Sequence, residues 1–100
     1  MLTITPAHKI YLAVGTIDFR RGIDGYAAYC RTYLDLNPFS GHCFIFRNRR
    51  RTAIKVLLYD GTGFWLCHKR LSKGQFKQWP TSPNSVVMLD SQQLSLLLQQ

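Results

Sequence analysis

Glutamate is absent from this sequence, and five aspartates stand against 13 lysines and arginines. The resulting formal charge of +8 predicts an anionic partner, and nucleic acid is the commonest one. An anionic membrane surface would call for a long amphipathic basic helix, and the sequence has none. The plain alternative is charge that only keeps the protein in solution. No apolar run nears the roughly 20 residues of a spanning helix. The N-terminus lacks the charged-then-apolar pattern of a secreted chain. A soluble, cytosolic protein is therefore expected. Low-complexity tracts and internal repeats are also missing. Cysteine is scarce and odd in number, at Cys30, Cys43 and Cys67, with no C-x-x-C pair. That argues against a disulfide framework and a zinc ribbon, and predicts buried, reduced thiols.

The usual marks of catalysis are missing too. Asp18, Asp24, Asp35, Asp60 and Asp90 are scattered, whereas a two-metal nuclease needs several converging carboxylates. Asp60 belongs to a turn, and Asp18 or Asp24 is placed to cap a helix. His42-Cys43 and Cys67-His68 fall on strands, where neighbouring residues point to opposite faces, so neither pair chelates one ion. There is no nucleophile elbow, no P-loop and no H-E-x-x-H. The sequence predicts no enzyme, no metal and no cofactor.

What is present is a globular pattern, 46% hydrophobic and 13% aromatic, over a length that suits one domain, residues 1–100. His8 to Val14 alternates Ile10, Leu12 and Val14 against Lys9, Tyr11 and Ala13, the period of a half-buried strand that Gly15 ends. From Gly22 to Leu34 an apolar stripe of Ile23, Tyr26, Ala27, Cys30 and Leu34 keeps helical spacing. Gly25 within it suggests close packing on a sheet, and Asn37-Pro38 stops the helix. Further on, Phe76 to Trp79 suits a short edge strand and Val86 to Leu89 a brief one. Asp90 or Ser91 then caps a last helix with the stripe Leu94, Leu97 and Leu98.

Between them, strands near 42–47, 52–59 and 64–71 form an antiparallel meander. Its turns are Asn48 to Arg51 and Asp60-Gly61-Thr62-Gly63, whose glycines tolerate positive φ. Turn lengths put Arg47 opposite Thr52, Cys43 opposite Val56, Tyr59 opposite Phe64 and Val56 opposite Cys67. One face then carries Cys43, Ile45, Ile54, Val56, Leu58, Trp65 and Cys67, and the helix is expected to cover it. The other carries Phe44, Phe46, Lys55, Leu57, Tyr59, Phe64, Leu66, His68 and Arg70. Being too apolar for water, that face needs cover from the chain itself, a second subunit or a ligand.

From Arg47 to Lys77 there are nine lysines and arginines and one acid, Asp60. Arg47, Arg49, Arg50 and Arg51 crowd a hairpin tip, where guanidinium forks match phosphate geometry. Lys55, Lys69, Arg70, Lys73 and Lys77 extend the patch. Phe44, Phe46, Tyr59, Trp65 and Trp79 either stack on bases or belong to the core.

Several motifs together resemble a known family. They are Asp18-Phe19-Arg20-Arg21-Gly22-Ile23-Asp24-Gly25, Phe44-x-Phe46-x-Asn48-Arg49-Arg50, Lys55, Asp60-Gly61-x-Gly63-Phe64-Trp65-Leu66, Lys69-Arg70-Leu71-x-Lys73-Gly74-x-Phe76 and Trp79-Pro80. With these the chain resembles the TnpB, or second-open-reading-frame, accessory proteins of insertion sequence sixty-six type bacterial transposons. These are distinct from the RNA-guided nuclease that shares the TnpB name. Phe19, Tyr59, Ser72 and Cys67-His68 depart from the family pattern, and none is a basic position. The resemblance implies a role in transposition beside a separate transposase that holds the catalytic acids.

The combined expectation is an α+β domain, an antiparallel sheet with one packed amphipathic helix and a short C-terminal helix. It is expected to be a non-catalytic accessory factor binding nucleic acid, DNA above all, through its phosphate backbone. The alternative is an adaptor that docks on the transposase, another transposon-encoded protein or a sister subunit in an oligomer.

Overall fold

A computed structural model describes residues 8–100. In chain order it has β1 (Ile10–Ile17), α1 (Ile23–Thr32), β2 (Cys43–Asn48), β3 (Ala53–Tyr59), β4 (Phe64–Arg70), β5 (Val86–Leu89) and α2 (Ser91–Leu98). The strands make one five-stranded sheet in the order β4-β3-β2-β1-β5. The fold is α+β, as expected, but the sheet is mixed rather than antiparallel. β1 runs parallel to β2, and the other three neighbouring pairs are antiparallel. A parallel pair needs a crossover, and α1 is that crossover.

β1 also runs past Gly15, its expected end, to Ile17. Its pairing with β2 shifts between Leu12 and Thr16, so Gly15 lies exposed in an irregular stretch rather than at a terminus.

The meander is present with one correction. Phe44 lies opposite Leu57 and Arg47 opposite Ile54, two residues away from the expected β2–β3 register. Asn48 is the cause. Its Oδ1 accepts the Thr52 and Ala53 amides at 2.9 and 3.0 Å, its Nδ2 donates to Thr52 Oγ1, and Arg51 turns through φ 63°. These bonds widen the loop. A slip of two leaves every side chain on its expected face. The β3–β4 register is as expected, with Tyr59 opposite Phe64 and Val56 opposite Cys67. Asp60 closes that turn by accepting from the Thr62 and Gly63 amides, the Thr62 hydroxyl and the Trp65 indole, which hold its pKa down at about 2.

α1 covers the opposite face to the one expected. α1 packs on the aromatic face, joining Tyr26, Ala27 and Cys30 to Phe44, Phe46 and Leu57. Small Ala27 and Cys30 leave room for the large rings below, and the Tyr26 and Phe46 centroids lie 5.0 Å apart. Cys30 and Leu34 are buried as expected, whereas Ile23 at the helix start is exposed. Neither Asp18 nor Asp24 caps α1; Gly22 occupies the N-cap without a side-chain bond. A Cβ on Gly25 would meet the Arg21 side chain at 3.1 Å, so this glycine spares a clash within its own segment rather than with the sheet.

The aliphatic face, with Ile10, Leu12, Cys43, Ile45, Ile54 and Leu58, is covered by Leu94 and Leu97 of α2 and by Phe76. Phe76 to Trp79 forms no strand, yet Phe76 is fully buried. Asp90 caps α2 reciprocally. Its carboxylate accepts the Gln93 amide, and the Gln93 side chain accepts the Asp90 amide, each at 2.8 Å. Among the described residues, no helix is long and apolar enough to cross a membrane.

All three cysteines are free thiols, with Cys30 and Cys43 buried and Cys67 half-buried. Burial pushes the Cys30 thiol up to about 12 and Cys43 up to about 11. Reactivity follows the thiolate, so a thiol reagent at mildly alkaline pH should label Cys67 first and leave the other two intact. In denaturant without reductant, all three should react. A count of one there would reveal a disulfide.

Candidate nucleic-acid interface

The nine cations singled out by sequence do not form one surface. Arg47 is only 7% exposed. It shares a face with Cys43 and Ile45, donates from Nη1 to the Phe76 carbonyl at 3.0 Å, and lays its guanidinium 4.6 Å from the Trp79 ring. Burial and the nearby Arg51 charge lower its pKa, but guanidinium stays protonated. Its expected place at the centre of an exposed cluster is corrected: it is a core clamp. Lys55 is also engaged. Its ammonium donates to the Phe19 carbonyl at 3.1 Å and sits 5.0 and 5.3 Å from the Phe19 and Tyr26 rings.

Lys69 and Arg70 occupy the edge strand β4 and, as neighbours in a strand, point to opposite faces. Lys69 Nζ donates to the Leu98 carbonyl at 2.7 Å, at the end of α2. There a cation complements the helix dipole. Arg70 lies opposite Ala53 and is exposed.

What remains together is the turn of Arg49, Arg50 and Arg51, all exposed, with Lys73 and Lys77 on the following loop. The two segments are tied through the backbone carbonyls of residues 50–52. Phe76 N–H donates to the Arg51 carbonyl at 2.7 Å, Gln75 Nε2 to the Arg50 carbonyl at 2.8 Å, and Leu71 N–H to the Thr52 carbonyl at 2.9 Å. With these carbonyls engaged and Asn48 closing the turn from below, the backbone is braced and the side chains reach into water. No carboxylate forms an ion pair with Arg49, Arg50 or Arg51; among the described residues the only ion pair joins Arg20 to Asp18.

The structure adds residues that the sequence reading left out. Ile17 pairs with Asn48 where β1 and β2 both end, which brings Asp18, Phe19 and Arg20 beside Arg49 and Arg50. Together they line an open cleft of about 690 Å³. Asp18 Oδ1 accepts the Arg20 amide at 2.9 Å, and both its oxygens accept from the Arg20 guanidinium. These bonds, with the more distant Arg49 charge, hold its carboxyl well below the usual carboxylate range. The signal in the sequence was Arg20-Arg21, two residues after Asp18. Only the parallel pairing of β1 with β2 shows where that signal lies.

The candidate stacking aromatics divide as well. Phe44 and Phe46 are fully buried under α1, and Trp79 is part-buried, its indole donating to the Ala13 carbonyl at 3.1 Å. Tyr59 is half-buried and rests edge-on against Phe39, whereas Trp65 is exposed. The described residues contain no cluster of three or more His, Cys, Asp or Glu that could hold a metal ion.

Comparison with known proteins agrees with the motifs. A family model described as "IS66 Orf2 like protein" matches residues 8–100. An uncharacterized protein of Sinorhizobium fredii, y4hO, is 37% identical over 90 residues, covering 90% of this chain and 77% of its own. A second from the same organism, y4jC, is 31% identical over 90 residues, covering 90% and 76%. No solved structure matches the chain.

Proposed function

Because the chain belongs to the IS66 Orf2-like family of insertion-sequence proteins, we propose that it is a non-catalytic accessory factor of transposition that binds nucleic acid. The observation that carries this reading is the braced turn of Arg49, Arg50 and Arg51, exposed and in no ion pair among the described residues, tied through Gln75 and Phe76 to the loop that carries Lys73 and Lys77. Like charges held this close repel one another. The arrangement suits the fork recognition of phosphate on a surface fixed in advance.

If these five side chains neutralise phosphates, log affinity for duplex DNA falls with log salt at a slope of about −4 to −5. Phosphate contacts carry no base information, so random and transposon-end duplexes bind alike. Replacing Arg49, Arg50 and Arg51 together by alanine flattens the slope by about 2–3 units, with little change in melting temperature. Fluorescence anisotropy at several salt concentrations gives both numbers. An unchanged slope removes the turn from the site.

The adaptor reading has a different support. The aromatic face is core, so it offers no dock, but Leu96 of α2 is 62% exposed at a groove of about 380 Å³ lined also by Trp79, Pro80, Leu89 and Leu97. An adaptor loses transposase capture on Leu96→Asp and shows no salt-sensitive DNA binding.

A further inference from the structure

The cleft beside the arginine turn opens where the parallel strands β1 and β2 both end. In open α/β sheets ligands collect outside the carboxyl ends of parallel strands, and this one parallel pair offers a crevice at the same place. At about 690 Å³ it has the size of a small-ligand site. Its floor is rigid. The Phe19 ring is held edge-on by Tyr26 and His68 at 6.2 and 5.9 Å, while Lys55 bonds its carbonyl. Three guanidiniums, Arg20, Arg49 and Arg50, border the cleft against one carboxylate, Asp18.

Asp18 does not leave this site anionic. Both its oxygens are bound to Arg20, so it orients that side chain and cancels one of the three positive charges. Two remain. A backbone phosphodiester brings one negative charge, whereas a phosphomonoester carries about −1.5 to −2 at neutral pH. We infer that the cleft receives a phosphomonoester at the end of a nucleic-acid strand, held by Arg49, Arg50 and an Arg20 positioned by Asp18. The inference rests on the nucleic-acid reading above and adds a preference for ends that a backbone patch alone lacks.

The test uses the whole protein with two kinds of probe. Short single strands carrying a terminal phosphate, at the 5′ or the 3′ end, are compared with the same strands ending in hydroxyls. A closed circular duplex, which has no ends, reports on the backbone patch alone. A terminal phosphate at either end should tighten binding about three- to tenfold. Arg20→Ala and Arg20→Gln should abolish that difference. The double variant Asp18→Asn/Arg20→Gln, which keeps the net charge of the site, should abolish it while leaving circular-duplex binding within about twofold and the melting temperature unchanged. Equal affinity for both kinds of end overturns the inference, as does a phosphate preference that survives loss of Arg20. A nucleoside monophosphate that competes as well as the phosphorylated strand overturns the assignment to a strand end. Circular-duplex binding without end preference sinks the cleft and leaves the patch. End preference without circular-duplex binding does the reverse.

Discussion

Arg47→Ala is expected to destabilise the protein by about 2–4 kcal/mol, read from urea or thermal unfolding, while Arg49→Ala two residues away changes stability by about 0.5 kcal/mol or less. Both remove one arginine from the same basic run, but their surroundings differ. The Arg47 guanidinium hydrogen-bonds the Phe76 carbonyl and lies 4.6 Å from the Trp79 ring, inside the protein. Its loss leaves that carbonyl unpaired, removes the cation from the indole face and opens space along the buried stem. Arg47→Met separates these effects by restoring most of the volume without the donor, and should fall between the two. At a temperature where Arg47→Ala is folded, its DNA salt slope should match the parent, because Arg47 faces no solvent phosphate. A flatter slope in the folded variant would return Arg47 to the binding surface.

The second large effect belongs to Phe76. It sits in a stretch without regular structure, yet its side chain is fully buried against the aliphatic face of the sheet, and its backbone is fixed at both ends of the residue. Phe76→Ala should cost about 3–5 kcal/mol, from lost transfer energy and the cavity left behind. For a domain whose total stability is of order 5–15 kcal/mol, that is a large share. A denaturant midpoint shifted without a change of slope is the expected signature. A loss below about 1 kcal/mol would mean that the 71–80 segment is not part of the core. Because Phe76 anchors the loop carrying Lys73 and Lys77, the folded variant should also bind DNA more weakly than Lys73→Ala alone.

Alternation made both faces of β2, β3 and β4 legible, because a period of two survives even the two-residue shift that Asn48 imposes. The β3–β4 register was legible too, since Asp60 and its neighbours specify a tight turn. Which helix covers which face was not. Both faces are apolar enough to be covered, and nothing in the α1 stripe distinguishes rings from branched chains as its partner. The burial of Arg47 was within reach, since it is in phase with Cys43 and Ile45, yet the local excess of charge spoke for the surface. Phe76 and Trp79 lack any periodicity, so their packing appears only in three dimensions. The cleft depends on β1 lying beside β2 in parallel, a long-range choice that local pattern leaves open.

That sheet order also bears on how the chain acquires its shape during synthesis. β1 leaves the ribosome first and occupies an inner position, between β2 and β5. Its outer neighbour is not made until residue 89, and the helix that shields Ile10 and Leu12 follows at once. Until then a nascent β1–α1–β2–β3–β4 layer can cover one side with α1 but leaves the aliphatic side largely bare, with Phe76 and its segment as its cover. Contacts of such wide separation slow folding, and a bare apolar face in a growing chain invites association with other nascent chains. Productive folding therefore waits for β5 and α2, and a message cut short before α2 would yield a sticky product rather than a smaller working one.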